Sequence, residues 1–208
     1  MTILALEFSS ERRSVALARD GIVLSEAVEQ TGGRATNALG LIESALATAG
    51  LSRDEIEVIA VGLGPGSYTG IRAAIAVAQG WQLARGVKLL GISSVEAIAA
   101  QAQVKNILGT MNVVIDAQRG EFYLATWEVT GTALREISPL KISSKTEIEA
   151  LRTGSGICVG PEAEKELFPT AALIAVRAAQ RSNFLARENL EPIYLRETTF
   201  VKATPVGH

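Results

Sequence analysis

The sequence predicts an α/β protein made of two subdomains, each a mixed sheet with helices packed on it. Three observations lead to this prediction: short apolar runs alternate with helical stretches, tight-turn residues form hairpins, and both halves begin with a strand and a hairpin before adding a helix and a strand. We place the division near residue 103, which gives a first subdomain over 1–103 and a shorter second one over 104–208. The last segment is a candidate to return to the first subdomain.

The first half predicts the element order β-β-β-α-β-α-β-α. Gly50 is placed as the C-terminal stop of the first helix. Ser52 and Glu55 have the spacing of a capping box. The predicted elements, in order, are a buried strand over 2–8, a hairpin over 14–29 that turns at Asp20-Gly21, a helix from about Ala35, a short helical turn after Ser52, a strand over 56–64, a helix that begins near Ser67 or Thr69, a strand over 87–93 and a capped helix over 93–103.

The polar stretch QAQVKN ends this pattern, and the second half opens a new sheet. Two strands over 111–129 are predicted around a turn at Arg119-Gly120. A helix over 144–152, a strand over 154–160 and a long amphipathic helix over 169–189 follow. Such a repeat of the element order is expected for two related subdomains.

Composition excludes several classes of function. Of 208 residues, 48% are hydrophobic and 20% charged, and the net charge is −2. This balance argues against broad autonomous binding of nucleic acid, which rests on neutralising phosphates, and leaves RNA contact within a larger assembly open. The only histidine is His208, so Ser-His-Asp, Cys-His and paired-histidine zinc chemistry is not expected. No clustered Asp/Glu motif suggests a metal site made of carboxylates.

Three features predict a cytoplasmic protein without a membrane segment. The single cysteine, Cys158, cannot form an internal disulfide, and its setting GSGICVGP is typical of a buried strand. The start MTILALEFSSERR has neither the basic region nor the long apolar region of a signal peptide. The longest apolar runs are interrupted or too short to span a bilayer.

Four stretches carry a resemblance to a known family. They are ILALEFSSERRSVAL, GLGPGSYTGIRAAIAVAQG, VVIDAQRGEFY and the late EPIYLRE. The second is the most specific, because Gly-Pro-Gly-Ser-aromatic-Thr-Gly followed by Arg is a family signature. Over nearly its whole length the chain resembles the bacterial TsaB (YeaZ) family, which implies two actin-like (ASKHA, RNase H-like) subdomains.

The resemblance also implies a role in tRNA modification. Members are non-catalytic subunits that pair with a related catalytic subunit, TsaD, which places a threonylcarbamoyl group on the adenosine beside the anticodon. A TsaE-like ATPase is expected in the larger complex, tRNA only as part of that complex, and a homodimer when the chain is alone. ATP and metal are expected on the partner proteins, and no cofactor is expected to bind this chain tightly. Without the partner's histidine metal motif, peptidase activity is not expected.

The sequence departs from the family pattern at three places. The superfamily's first-strand Asp, which helps hold metal and phosphate, is Glu7 here. The extra methylene works against a tight metal-phosphate geometry, so Glu7 marks a degenerate nucleotide site. The segment after the hairpin, where many members carry a histidine, reads GGRATNA, and Gln118 stands where the family usually has an arginine. These departures weaken an inherited nucleotide site and leave the fold prediction unchanged.

The glycine-rich loop before the second helix has two interpretations. Its amides and the helix dipole could bind a phosphate or carboxylate, or its glycines could allow positive φ angles and close passage of two backbones. We favour the second interpretation, because no Lys follows the glycines as in a P-loop. Ser67 and Thr69 are then candidate helix caps. The residues assigned to this helix-launching loop are Gly64, Pro65, Gly66, Ser67, Thr69 and Gly70.

The first two predicted helices carry unusually few charges. No residue from Ala73 to Leu83 is charged, and Glu43 is the only charge from Ala35 to Ala49, although a surface helix normally carries charges on its outer side. At 100° per residue, the predicted core faces are Leu39, Ile42, Leu46 and Ala49 on the first helix, and Ala73, Ala74, Val77, Trp81 and Ala84 on the second. The predicted partner interface lies opposite and consists of Asn37, Gly40, Leu41, Ser44, Arg72, Ile75, Ala76, Gln79, Gln82 and Leu83.

Two alternatives stay open. The outer sides of these helices could be buried under the second subdomain rather than against a partner. The chain could also be a small-molecule kinase or ATPase of the same superfamily, which would need a phosphate-binding acid, a metal site and an adenosine pocket between the subdomains. The altered acid at Glu7 and the short second half favour the accessory subunit.

Overall fold

The computed structural model describes residues 1–30, 37–154 and 156–195, and these residues form two five-stranded sheets and five α-helices. The first sheet contains β1 (Thr2–Glu7), β2 (Arg12–Arg19), β3 (Ile22–Gln30), β4 (Val58–Gly62) and β5 (Lys88–Ile92). The second contains β6 (Gly109–Asp116), β7 (Glu121–Val129), β8 (Leu134–Ser144), β9 (Ile157–Gly160) and β10 (Lys165–Glu166). The helices are α1 (Ala38–Ala49), α2 (Tyr68–Arg85), α3 (Ser94–Val104), α4 (Lys145–Thr153) and α5 (Ala171–Ala179).

Both sheets have the same strand order. The first is ordered β3-β2-β1-β4-β5 and the second β8-β7-β6-β9-β10. In each, the first three strands pair antiparallel, and the remaining two are parallel to the first strand of that sheet. The prediction of two related α/β subdomains with mixed sheets is therefore confirmed. None of the described helices is long and apolar enough to cross a membrane.

The first sheet has helices on both faces, so its central strands β1 and β4 are buried on both sides. In β1, Leu4 and Leu6 point to the face that α1 and α2 cover, where they share a buried cluster with Ile42. Ile3 and Ala5 point to the opposite face, where α5 packs. This alternation follows from the two-residue period of a strand and places α1 and α2 side by side on one surface of the protein.

Two helices each pack on the sheet formed by the other half of the chain. Helix α3 packs on the second sheet, whereas α5, which comes last in the chain, packs on the first. The two helices meet at the buried Glu96 of α3, whose carboxylate accepts hydrogen bonds from Arg177 Nε at 2.6 Å and Arg181 Nη2 at 2.6 Å. The division predicted near residue 103 falls in the last turn of α3.

Several local predictions are confirmed. The first hairpin turns at Asp20 and Gly21, which have φ angles of 52° and 81°. Gly50 ends α1 in the left-handed conformation with φ 65°, as a residue without Cβ does readily. The capping box between Ser52 and Glu55 is formed.

One predicted helix was too long, and two strands of the second sheet, β8 and β10, were not predicted. The long helix expected over 169–189 ends at Ala179, because the chain turns to place Leu185 beside β5, where its N–H donates to Leu89 O at 2.9 Å. Ser182 and Asn183, which have weak helix propensity, lie between these points. Strand β8 was not predicted, since Pro139 interrupts its pattern; as an edge strand it tolerates that proline.

Some sequence predictions lie outside the described residues. They are the start of the first helix near Ala35, most of the GGRATNA segment, the end of the EPIYLRE motif and His208.

Candidate functional site

The glycine-rich loop packs directly against the end of β1. Ser67 N–H donates to Ser9 O at 2.6 Å. A Cβ on Gly66 would overlap this same carbonyl, and a Cβ on Gly70 would overlap the carbonyl oxygen of Phe8. These contacts are the close backbone approach that the second interpretation of the loop requires.

Helix α2 begins at this loop with a serine cap. The Ser67 Oγ accepts a hydrogen bond from Gly70 N–H at 3.3 Å, which satisfies one of the free donors of the first turn. Thr69, the other candidate cap, lies inside α2 with an exposed side chain. Gly64 has φ 86° and Pro65 is buried. The loop therefore sets where α2 begins and in which direction it leaves the sheet.

Glu7 lies beneath this loop and is fully buried. Its carboxylate accepts hydrogen bonds from Ser9 N–H at 2.7 Å and from Ser94 Oγ at 2.8 Å, and the Ser94 hydroxyl accepts one from Gly64 N–H at 3.1 Å. Burial raises the pKa of Glu7, and the hydrogen bonds from Ser9 and Ser94 oppose that rise. Within the described ranges, no three His, Cys, Asp or Glu side chains are grouped to hold a metal ion. The carboxyl of Glu7 thus joins β1, the loop and the start of α3.

An open cleft of about 1200 Å³ lies between the subdomains. At its far wall, the Asp116 carboxylate accepts hydrogen bonds from the Gln118 N–H at 2.8 Å and side-chain amide at 2.9 Å. Burial raises the pKa of Glu162, which accepts a hydrogen bond from Asp116 N–H. The charged and aromatic residues of its lining are Glu11, Tyr68, Arg72, Asp116, Arg119, Tyr123, Glu162, Phe168 and Tyr194, and Glu7 is not part of the lining.

The outer side of α1 differs in part from the prediction. Leu41, predicted to face a partner, is buried in the core with 9% exposure, whereas Leu39, predicted to face the core, is 62% exposed. Asn37 and Ser44 are exposed and Gly40 is partly exposed. Asn37 is also the N-cap, whose side chain accepts from Gly40 N–H at 3.1 Å. Helix α1 packs on β3 and β2. The assignment of Leu41 was wrong because α1 has apolar residues on several sides, so its sequence does not specify which side faces the sheet.

The outer side of α2 needs one similar correction. Ile75 is 7% exposed and belongs to the core, whereas Ala84, predicted to face the sheet, is exposed. Arg72, Ala76 and Leu83 are exposed as predicted, with Leu83 at 75%, and Gln79 and Gln82 are partly exposed. The described residues of the second subdomain therefore leave Ala76 and Leu83 uncovered.

The exposed stripe of α2 contains small residues at every fourth position. They are Ala76, Gly80 and Ala84, which lie above one another on a helix. A Cβ on Gly80 would meet no atom within 4 Å, so nothing among the described residues requires a glycine there. Gly80 therefore weakens the helix, and none of the described residues packs closely enough to require it.

A C-terminal segment packs along α2. The sequence made the last segment a candidate to return to the first subdomain, but it did not indicate which element the segment would contact. Gln79 Nε2 donates to Arg187 O at 2.9 Å, and Ile193 N–H donates to Leu63 O at 2.9 Å. The rings of Tyr68 and Tyr194 stack with centroids 5.7 Å apart. The EPIYLRE motif includes Tyr194 but does not indicate which residues Tyr194 contacts.

Comparisons with known proteins agree with this architecture. A family model described as TsaD, tRNA N6-adenosine threonylcarbamoyltransferase, matches residues 10–182. The chain is 30% identical to the tRNA threonylcarbamoyladenosine biosynthesis protein TsaB of Escherichia coli K12, with 99% of each chain covered. It is 29% identical to the protein of the same name from Haemophilus influenzae, over 99% of this chain and 98% of that one.

A solved structure has the same fold as this chain. The crystal structure of an uncharacterized Pseudomonas aeruginosa protein with similarity to peptidase YeaZ superposes with a TM-score of 0.82 at 25% identity, covering 94% of this chain and 99% of that one. The resemblance inferred from the glycine loop and the IDAQRGEFY motif is thereby confirmed. The chain belongs to the TsaD family and, within it, to the actin-like TsaB (YeaZ) proteins.

Proposed function

We propose that this protein is a non-catalytic subunit required for threonylcarbamoyl modification of tRNA, and that it acts by pairing with a TsaD-type catalytic subunit. The names of its relatives connect the family to threonylcarbamoyladenosine biosynthesis. The modified base in this proposal is the adenosine beside the anticodon. The chain would act in the cytoplasm and would bind tRNA only as part of the complex.

The single observation that carries the proposal is the exposed, almost uncharged side of α2. Ala76, Gly80 and Leu83 lie on it, with α1 beside them on the same face of the first sheet. An exposed apolar side of this kind is typical of an interface. Small residues at Ala76 and Gly80 allow two helices to approach closely, so the two outer helices of each subunit would form a four-helix contact. Alone, the same side would support a homodimer that competes with the partner.

The chemistry of the chain fits an accessory role better than a catalytic one. His208 is the only histidine in the sequence, so the chain cannot supply paired histidines to a metal. The Glu7 carboxylate faces Ser9 and Ser94 rather than the cleft. ATP and metal would therefore be held by the partner proteins, the TsaD-type subunit and a TsaE-type ATPase.

The proposal is tested by reconstitution with single omissions. The TsaD-type subunit, the TsaE-type ATPase, tRNA and the activated threonylcarbamoyl donor are combined with or without this chain, and modified adenosine is measured by mass spectrometry. We expect modification only when both this chain and the TsaD-type subunit are present. Turnover by this chain alone, or full turnover in its absence, would contradict the proposal.

The kinase or ATPase alternative is addressed by a separate measurement. It draws support from the cleft of about 1200 Å³ between the subdomains. Calorimetric titration of the isolated chain with MgATP is expected to show no tight binding. Tight binding at the cleft, lost on a substitution such as Arg119→Glu, would favour the alternative.

A further inference from the structure

A groove of about 770 Å³ runs between α2 and the C-terminal segment. Its α2 wall contains Ala73, Ile75 and Ala76, and its opposite wall contains Leu190 and Pro192. These residues are apolar, so the walls suit a hydrocarbon chain. Because Ala76 also belongs to the exposed stripe of α2, the groove is continuous with the proposed partner surface.

The C-terminal wall of the groove is held in place by specific contacts. Gln79 Nε2 donates to Arg187 O at 2.9 Å at one end. At the other end, Tyr194 stacks on Tyr68, and Ile193 N–H bonds to Leu63 O. The groove is therefore formed before any partner arrives.

The charges at the edge of the groove are predominantly negative. Glu188 and Glu191 line it with exposed side chains, and neither has an ion pair or hydrogen bond among residues 1–30, 37–154 and 156–195. The cation in the lining is Arg72, whose Nη1 donates to Tyr68 Oη at 2.9 Å and whose guanidinium lies 5.2 Å from that ring's centroid. Two carboxylates thus remain available at the mouth of an apolar groove.

We propose that this groove receives a Lys or Arg side chain from a segment of the TsaD-type subunit, with its charged end between Glu188 and Glu191. The inference rests on the proposed function and adds the chemistry of the contact. Long basic side chains bury their methylene stems against apolar surface and keep the charge at the rim, which is the distribution that Ala76, Pro192 and the two glutamates offer. The groove would then select a partner by charge, beside a helix contact that is almost uncharged.

The experiment compares charge-reversal variants in the full-length protein. Glu188→Lys/Glu191→Lys removes the negative rim, and Glu136→Lys/Glu166→Lys places the same charges on exposed strand positions of the second sheet. Dissociation constants for the TsaD-type subunit are measured by calorimetry at about 50 mM and about 500 mM salt. Because like charges facing each other across an interface are unfavourable, we expect Glu188→Lys/Glu191→Lys, the groove variant, to bind the TsaD-type subunit at least about tenfold more weakly than wild type at low salt. The difference from wild type should shrink at high salt, since screening weakens rim charges.

Three outcomes would overturn the inference. Unchanged affinity of the groove variant, while Ala76→Arg abolishes binding, would leave the proposed function standing and remove the groove from it. An equal loss in the Glu136→Lys/Glu166→Lys control would assign the effect to net charge. Loss of self-association with unchanged binding of the TsaD-type subunit would make a second copy the occupant.

A neutral variant provides a second test in case the charge reversal fails to fold. Glu188→Gln/Glu191→Gln retains side-chain size and is expected to bind more weakly than wild type but more tightly than the charge reversal. If wild type does not bind the TsaD-type subunit, or Ala76→Arg binds as wild type does, the proposed function itself fails.

Discussion

At the scale of single residues, Glu7 occupies the position that the sequence predicted as a degenerate nucleotide site, and its carboxylate makes hydrogen bonds within the fold. The carboxylate is enclosed, and its oxygens accept hydrogen bonds from Ser9 N–H and Ser94 Oγ. A Cβ on Gly62 would overlap Glu7, so the glycine leaves room for the acid. The buried carboxyl thus helps to fix the loop from which α2 starts.

The burial of Glu7 predicts a pH dependence of stability. Its pKa is raised in the folded protein above the ordinary value of 4.5, so the folded state holds the proton more tightly than the unfolded chain. The contribution of Glu7 is present below about pH 4.5 and is lost as the pH rises through the raised pKa. Glu7→Gln stays neutral, so its unfolding free energy in urea titrations should rise relative to wild type as the pH increases from about 4.5 through the raised pKa, and the difference should then stay constant.

A functional assay accompanies this variant. Because Glu7 does not line the cleft, tRNA modification in a complementing strain should stay near normal with Glu7→Gln. Complete loss of modification, with folding and partner binding intact, would make Glu7 a ligand after all.

Around single residues, the sequence predicted local turns but missed contacts between residues that are far apart in the chain. The turn at Asp20-Gly21 and the stop at Gly50 follow from backbone conformations that few residues adopt, so local sequence suffices. The buried carboxylate of Glu7 accepts a hydrogen bond from Ser94, which lies 87 residues later in the chain. No local pattern contains that contact.

At the scale of elements, α2 is a helix whose sequence does not specify its orientation. It is apolar or small nearly all round, so the periodicity gives the presence of the helix but only an approximate buried side. Packing decides that Ile71, Ala74 and Ala78 face the sheet together with Ile75. The same ambiguity exchanged Leu39 and Leu41 on α1. The presence of an uncharged outer side on α2 was predictable, but which residues lie on that side needed the structure.

Two glycines of α2 should respond in opposite ways to alanine. In Gly70→Ala, the new methyl would overlap the carbonyl oxygen of Phe8, and such overpacking typically costs about 1–3 kcal/mol. In Gly80→Ala the methyl meets open space, and the gain in helix propensity is about 0.5–1 kcal/mol. Urea denaturation of the two variants measures both. A stable Gly70→Ala would show that the loop does not need the close approach to β1.

At the scale of the whole molecule, the two subdomains are joined through α3 and α5. Each helix packs on a different sheet, and Glu96 binds both Arg177 and Arg181. The sequence predicted both sheets because each is built from local hairpins and alternating elements. It did not predict this crossing, because the contact joins residues 81 and 85 positions apart.

Removing this carboxylate should destabilise the whole protein. Glu96→Gln leaves two arginines close together, with only 25% and 29% side-chain exposure. We expect a loss of about 1–3 kcal/mol, below the value for fully buried pairs because water screens the arginines.

The matched control is Glu128→Gln, whose carboxylate pairs with Arg135 at the surface. Exposed pairs of this kind contribute about 0–1 kcal/mol. Equal effects of the two substitutions in urea denaturation would show that the Glu96 contact does not hold the subdomains together.

Ala76→Arg tests most directly whether the exposed side of α2 binds the TsaD-type subunit, as we propose. Ala76 is exposed, so the isolated variant should melt as wild type does, as should the control Ala150→Arg on the exposed side of α4. Burying an unpaired charge costs several kcal/mol, and about 1.4 kcal/mol already changes affinity tenfold. In calorimetric titration of the TsaD-type subunit, Ala76→Arg should therefore show no measurable binding and Ala150→Arg wild-type affinity. Wild-type affinity of a folded Ala76→Arg would place the interface elsewhere, and unfolding of this variant would place Ala76 in the core.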